Sequence, residues 1–271
     1  MTYRTLAVEQ RGAVALVTLD RPDKANAMEE AMWHEIREAM RWADATDPVR
    51  VVVLRGAGKH FTAGIDLAML QGIAARIRHA DPARASEKLR RVILDLQDTL
   101  TAVERCRKPV VAAIHGACDG GGIDLVTACD LRYCSADARF SVKEIDVGMT
   151  ADVGTLQRLP KLVGEGMARE LAYTGRVVDG AEAQAIRLVN RVFDSPEALA
   201  EGVLAIAESI AAKSPLMVKW AKQCIQLVRD HTLQDGIQGE RTRFSETFTT
   251  ADAAEGTRAF LEKRKAVFTG R

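Results

Sequence analysis

Two short stretches of this 271-residue chain combine glycines with acids in patterns that could support chemistry. Residues 116 to 130 read GACDGGGIDLVTACD, with Gly120, Gly121 and Gly122 directly before Ile123 and the carboxylate of Asp124 set in an apolar run. Glycine this dense costs backbone entropy on folding, so the stretch must need either an unusual φ or a missing side chain. Residues 56 to 67 read GAGKHFTAGIDL, a second glycine turn after an apolar run. A dinucleotide fingerprint built on Gly120 and Gly122 needs glycine at 125, which is leucine, and a P-loop needs Gly-Lys-Ser/Thr where Ile123 follows Gly122. No G-x-S-x-G occurs to carry a hydrolase nucleophile. What remains is a strand passing through a tight turn into a buried helix, whose first-turn N–H groups lack intrahelical partners and can bind an oxyanion. From GGG alone a plain packing turn is the favoured reading. The second turn adds weight to the oxyanion reading, because two turns after two strands can aim two backbone N–H groups at one oxygen. Asp66 reads as a helix cap with no catalytic role.

The elements that must position these turns follow from periodicity. Apolar and β-branched runs at 6–10, 14–19, 51–54, 110–114, 131–134 and 138–142 predict strands. Helical spacing lies between several of them, at 29–43 and through Leu89, Ile93, Leu96, Leu100 and Val103. Strands alternating with helices predict an α/β core over 1–195. From Pro196 the pattern is helical only: one helix through 212, one opened by Ser214-Pro215, one near 233–247 and one over 251–267. This second segment, 196–271, reads as a C-terminal helical unit. The stretch 68–88 has weak periodicity and predicts a mobile segment near a pocket.

Composition limits the remaining choices. Lysine and arginine number 38 against 37 aspartates and glutamates, a net charge of +1 that supplies no global field for nucleic acid. The basic cluster at 76–91 (Arg76, Arg78, Arg84, Lys88, Arg90, Arg91) reads as a solvated face. Five cysteines without a C-x-x-C pair predict a reducing, cytoplasmic setting, and His34-Glu35 lacks the second histidine of a zinc motif, so no metal is expected. No apolar stretch approaches a membrane span, and neither MTYRTLAVEQRG nor FTGR reads as a targeting signal.

Four stretches together resemble the crotonase (enoyl-CoA hydratase/isomerase) superfamily over nearly the whole chain. They are RPDKANAM at 21–28, GAGKHFTAGIDL, KPVVAAIHGACDGGGIDLVTACDLRYCSADARFSVKEIDVGM from Lys108, and EGTRAFLEKRKAVF near the end. The resemblance implies a crotonase-like spiral of ββα units followed by C-terminal helices that build homotrimers, commonly paired into hexamers. It implies an oxyanion hole at the backbone N–H groups of Ile65 and Gly121 for the thioester oxygen of an acyl-CoA. It also implies coenzyme A contacts at Lys24, Ala25, Ala63, Lys263 and Phe268. Coenzyme A would then be part of the substrate, with no separate cofactor.

Within the superfamily, FTAGIDL, GGGIDL and above all VKEIDVGMTADVGTLQRLPKLVG are most similar to the delta-3,5-delta-2,4-dienoyl-CoA isomerases. That group uses three acids, which map onto Asp124, Glu144 and Asp152. The implied reaction removes a proton at C2 through Glu144, delocalises charge onto the thioester oxygen and returns a proton at C6 from Asp152, with Asp124 tuning the pair. Taken singly, Asp124 reads equally as a first-turn acid, Glu144 as a strand-end residue and Asp152 as an N-cap for the helix after it. Two alternatives stay open: an enoyl-CoA hydratase holding water between Asp124 and Glu144, and an RNA-binding or scaffolding crotonase using 76–91.

Overall fold

Alternation at period two divides the β-branched runs between two apolar layers. The computed structural model describes residues 2–271. In chain order its elements are β1 (Leu6–Arg11), β2 (Val14–Leu19), α1 (Glu30–Ala45), β3 (Val51–Gly56), α2 (Leu67–Arg76), α3 (Pro82–Arg105), β4 (Val110–Ile114) and β5 (Ala117–Asp119). They continue with α4 (Gly121–Thr127), β6 (Leu131–Ser135), β7 (Arg139–Ser141), α5 (Thr155–Val163), α6 (Glu165–Thr174), β8 (Val178–Asp179), α7 (Gly180–Ala185) and β9 (Arg191–Phe193). The chain closes with α8 (Pro196–Ala211), α9 (Pro215–Leu227), α10 (Leu233–Phe248) and α11 (Ala251–Leu261). None of the helices in the described residues is long and apolar enough to cross a membrane.

The main sheet has the order β1-β2-β3-β4-β6-β9; β1 pairs antiparallel with β2, and the other pairs are parallel. Parallel strands are covered on both faces, which is why β2 and β4 read as continuous apolar runs. Val17, Leu54, Ala112 and Ile114 pack with Trp33 and Ile36 of α1 and with Leu100 and Val103 of α3. Leu16, Val53, Val111 and Ala113 face the other way, against Leu199, Val203, Ala207 and Ala211 of α8. Their fourfold spacing keeps one side of α8 on the sheet, so the first C-terminal helix belongs to the same packed unit as the strands.

A smaller sheet, β5-β7-β8, stands beside the first. It changes the expected path of the glycine stretch: between β4 and the buried α4 the chain first adds β5, after Gly116 takes a left-handed φ of 55°.

The region 68–88, expected to be a mobile segment, is largely helical: α2 fills its first part, and α3 opens at Asp81, which caps Ala83 N–H, with Pro82 at the first position. Its weak periodicity has a plain cause, since α2 buries only Ile73 and α3 buries residues only from Leu96 onward. The last helix also ends earlier than its periodicity suggests. It stops at Leu261, Lys263 turns left-handed at φ 55°, and the tail folds back along α11. Arg264 pairs with Glu255 at 2.6 Å, and Asp252 accepts the N–H groups of Thr269 and Gly270 at 2.8 and 3.0 Å.

Candidate active site

The two glycine turns meet because the strands that feed them, β3 and β4, are parallel neighbours. Phe61 N–H donates to His115 carbonyl at 2.8 Å, and Thr62 bridges Cys118 through Thr62 N–H to Ala117 and Asp119 N–H to Thr62, at 3.0 and 3.1 Å. A further bridge joins Met28 to Ile65: Met28 N–H donates to Gly64 carbonyl at 2.7 Å and Asp66 N–H to Met28 carbonyl at 3.0 Å. In such a parallel bridge the bonds go to the flanking residues, so Ile65 turns its own N–H away. Gly121 opens α4, where a first-turn N–H has no helical acceptor. Neither N–H donates to an acceptor among the described residues.

Glycine is required at Gly64 twice over. Its φ is +86°, and a Cβ there would stand 2.6 Å from Asp119 carbonyl oxygen and 3.2 Å from Gly121 nitrogen. The Gly64–Ile65 turn therefore lies directly against the start of α4. At Gly121 a Cβ would stand 2.9 Å from Met28 Cε and 3.5 Å from Trp33, a buried wall beneath the turn. At Gly120 a Cβ would lie 3.4 Å from Glu144 Oε1, which puts that carboxylate over the same glycines.

The three acids form one electrostatic group. Asp124 is 1 % exposed, and burial pushes it from 3.8 up to about 6, with Asp152 adding repulsion while the bonds from Thr155 oppose the rise. Glu144 rises from 4.5 to about 7, first through burial and then through Asp124 and Asp152. Its Oε2 is buried without a hydrogen-bond partner among the described residues. Asp152 is exposed, yet the protein around it still raises its pKa by desolvation. Near neutral pH such a cluster holds protons as a set, and the set can both accept and donate one.

The simple cap reading fails for Asp152, while Asp124 does stand in the first turn of α4. Asp152 does not cap α5, whose N-cap is Gly154; Asp124 Oδ1 instead accepts Thr155 N–H at 2.7 Å across the site. Asp66 does cap α2, through Ala68 N–H at 2.9 Å, and pairs with Arg21 at 2.9 Å.

The expected coenzyme A contacts divide into two places. Ala63 N–H donates to Ala25 carbonyl at 2.9 Å, and Ala25 and Asn26 are left-handed at φ 48° and 53°. Asn26, fully buried and absent from the sequence-derived candidates, holds this turn: Nδ2 donates to Ala57 and His60 carbonyls at 2.8 and 2.7 Å, and Oδ1 accepts Arg21 N–H at 2.9 Å. The signal available was a small amide inside RPDKANAM, a residue type that tolerates left-handed φ. Lys24 lies alongside, at a cavity of about 610 Å³ shared with Arg21, Met69, Ile73 and Arg76. Lys263 and Phe268 are not brought there. Phe268 carbonyl accepts Arg50 Nη2 at 3.0 Å, just before β3 begins, whereas the Ile65 turn follows the other end of that strand.

Comparison with known proteins gives the family of the chain. The family model for enoyl-CoA hydratase/isomerase matches residues 9–271. The chain is 44% identical over 271 residues to the peroxisomal Delta(3,5)-Delta(2,4)-dienoyl-CoA isomerase of Arabidopsis thaliana, covering 98% of each chain. It is 43% identical to the mitochondrial Delta(3,5)-Delta(2,4)-dienoyl-CoA isomerase of Homo sapiens, across 97% of this chain and 81% of the relative. Among solved structures, an enoyl-CoA hydratase from Bacillus anthracis superposes with a TM-score of 0.90 at 32% identity, across 99% of this chain and all of the other.

Proposed function

The chain belongs to the enoyl-CoA hydratase/isomerase family, and from that premise we propose that its site converts 3,5-dienoyl-CoA to 2,4-dienoyl-CoA in fatty-acid β-oxidation. Glu144 takes a proton from C2, and the electron pair spreads through the diene to the thioester oxygen. The N–H groups of Ile65 and Gly121 receive that oxygen; one such donor is worth about 3–4 kcal/mol of barrier. Asp152 then delivers a proton to C6, leaving double bonds at C2 and C4. Asp124 raises the proton affinity of Glu144 by repulsion.

The observation that carries this reading is the third acid. A hydratase works at C2 and C3 and has no use for a carboxyl at the far end of a dienoyl chain, whereas Asp152 stands in the same electrostatic group as Asp124 and Glu144. The RNA-binding alternative loses support from the ion pairs of its basic stretch: Arg76 pairs with Glu30 at 2.8 Å, and Arg90 and Arg91 with Glu87 at 2.8 and 3.0 Å.

Side-by-side absorbance assays with 3,5-dienoyl-CoA and 2-enoyl-CoA test the reading. Wild type is expected to turn over the dienoyl ester, and Asp152→Asn to lose about two or more orders of magnitude while staying folded. Rapid hydration of 2-enoyl-CoA with the dienoyl ester untouched, and no effect of Asp152→Asn, would instead establish the hydratase.

Coenzyme A enters as part of the substrate in this scheme, with no separate cofactor. A trimeric or hexameric state draws support from exposed Leu233, Phe244 and Phe248 on α10 and Phe260 on α11, and sedimentation would test it. Assembly would also offer Lys263 and Phe268 a route to a neighbouring copy's site. A cytoplasmic setting is in keeping with five unpaired cysteines, and cell fractionation would test that placement.

A further inference from the structure

We propose that Arg158 is the positioning residue for Asp152, itself oriented by Glu104; the proposal rests on the isomerase reading above. No side chain among the described residues grips the Asp152 carboxyl, so its direction is set by the backbone that carries it. That backbone, 150–154, lies outside helix and strand and is tied down from three elements. Gln97 of α3 donates to Asp152 carbonyl at 2.6 Å, Arg158 of α5 donates through Nη1 to Val153 carbonyl at 3.2 Å, and Asp124 of α4 accepts Thr155 N–H at 2.7 Å.

Among these ties the guanidinium is the one with its own support. Arg158 Nε and Nη2 both meet Glu104 Oε2, at 3.2 and 2.8 Å, and the Arg158 side chain is only 14% exposed. Glu104 Oε1 takes Arg229 Nη1 at 2.7 Å, and its carbonyl takes Gln226 Nε2 at 2.8 Å, so one acid joins α3, α5 and the end of α9. The planar guanidinium can serve Glu104 and Val153 together, which an ammonium point charge cannot do with the same geometry. Gly154 makes room for it: at φ +121° a Cβ would fall 1.8 Å from Arg158 Nη1. Arg158 also places positive charge near Asp124, favouring its ionised form against the larger opposing effect of burial.

The test separates aiming of the distal acid from general support of the fold. In deuterated buffer, exchange at C2 of recovered 3,5-dienoyl-CoA reports Glu144 and the oxyanion turns, while formation of 2,4-dienoyl-CoA also needs Asp152. For folded Arg158→Gln, product formation should fall about a hundredfold and C2 exchange by less than about threefold, the cost expected when one reacting group is misplaced by about an ångström. Arg158→Lys should recover roughly tenfold of that loss, keeping charge and one bond. Parallel loss of both rates, or loss of neither, overturns the proposal. Should Arg158→Gln fail to fold by circular dichroism, Glu104→Gln leaves the guanidinium present but unaimed, and should raise the exchange-to-product ratio about tenfold; an unchanged ratio overturns the proposal. Wild type that ignores the dienoyl ester overturns the isomerase reading and this proposal with it, whereas wild-type turnover with an unchanged ratio overturns only the role of Arg158.

Discussion

Asp124 Oδ1 accepts the backbone N–H of Thr155 at 2.7 Å, so the acid buried beside the glycine turn is also the cap of the helix that follows Asp152. One side chain thus serves both stability and the charge balance of the site, and substitution can divide the two roles. Compared at pH 4, where the buried Asp124 carboxyl is protonated and uncharged like its amide, Asp124→Asn keeps an accepting oxygen and should change unfolding free energy by no more than about 0.5 kcal/mol, whereas Asp124→Ala should lose about 1–2 kcal/mol in denaturant titrations. Equal losses in both variants would remove the cap from the explanation.

The rate should depend on pH through Glu144. A base must be ionised, and burial with the neighbouring acids holds Glu144 at about 7, so kcat/KM is expected to fall as pH drops through that value. Removing the charge of Asp124 relieves repulsion, and Asp124→Asn should move the acidic limb to lower pH. A limb that moves upward or stays in place would show that Asp124 does not act on Glu144 electrostatically.

The same shift predicts how stability varies with pH. Between about 4.5 and 7 the folded chain retains a proton on Glu144 that the unfolded chain has released, so this group's contribution favours folding at low pH and is lost as pH rises through 7. Glu144→Gln should therefore be more stable than wild type at pH 8, on the order of 1 kcal/mol, with no gain at pH 4. Its turnover should fall by about a hundredfold or more with ester binding kept. Melting curves at the two pH values check the first outcome, and a gain confined to pH 4 would contradict the sign.

Gly64 offers the sharpest test of the paired turns. In Gly64→Ala a methyl group meets a φ of +86° and would stand 2.6 Å from Asp119 carbonyl oxygen and 3.2 Å from Gly121 nitrogen, at the joint between the two turns. Turnover should fall by a factor on the order of 10² to 10³, the usual cost of one oxyanion donor, with a smaller effect on acyl-CoA binding. Near-normal kcat in a folded variant would leave the turns with a packing role only.

Much of this architecture is legible in the linear chain because its signals are local. Continuous β-branched runs at Val14, Val51 and Val110 identify buried strands, and the stripe ending in Leu96, Leu100 and Val103 identifies the packed half of α3. The weak stretch 68–88 misleads for the same reason: α2 and the first half of α3 bury almost nothing, so periodicity carries no record of them, and only Asp66 and Asp81-Pro82 announce the helix starts. Residue type and spacing alone also single out GGG with Asp124 and the TAGID turn, since steric freedom and charge belong to single residues.

Convergence is a different kind of fact. That the Gly64–Ile65 turn lies against the start of α4 at Gly121 depends on β3 and β4 being parallel neighbours, and on Met28 bonding the residues either side of Ile65. That Thr155 is capped by an acid 31 positions earlier, and that Glu104 receives both Arg158 and Arg229, depends on how α3, α4, α5 and α9 pack. The tertiary structure also separates residues: the fold-back after Leu261 carries Phe268 to Arg50, at the opposite end of β3 from the Ile65 turn. Local propensity decides which residues form each element, while desolvation and hydrogen bonding between distant elements decide which of their side chains share a pocket and how strongly each holds its proton.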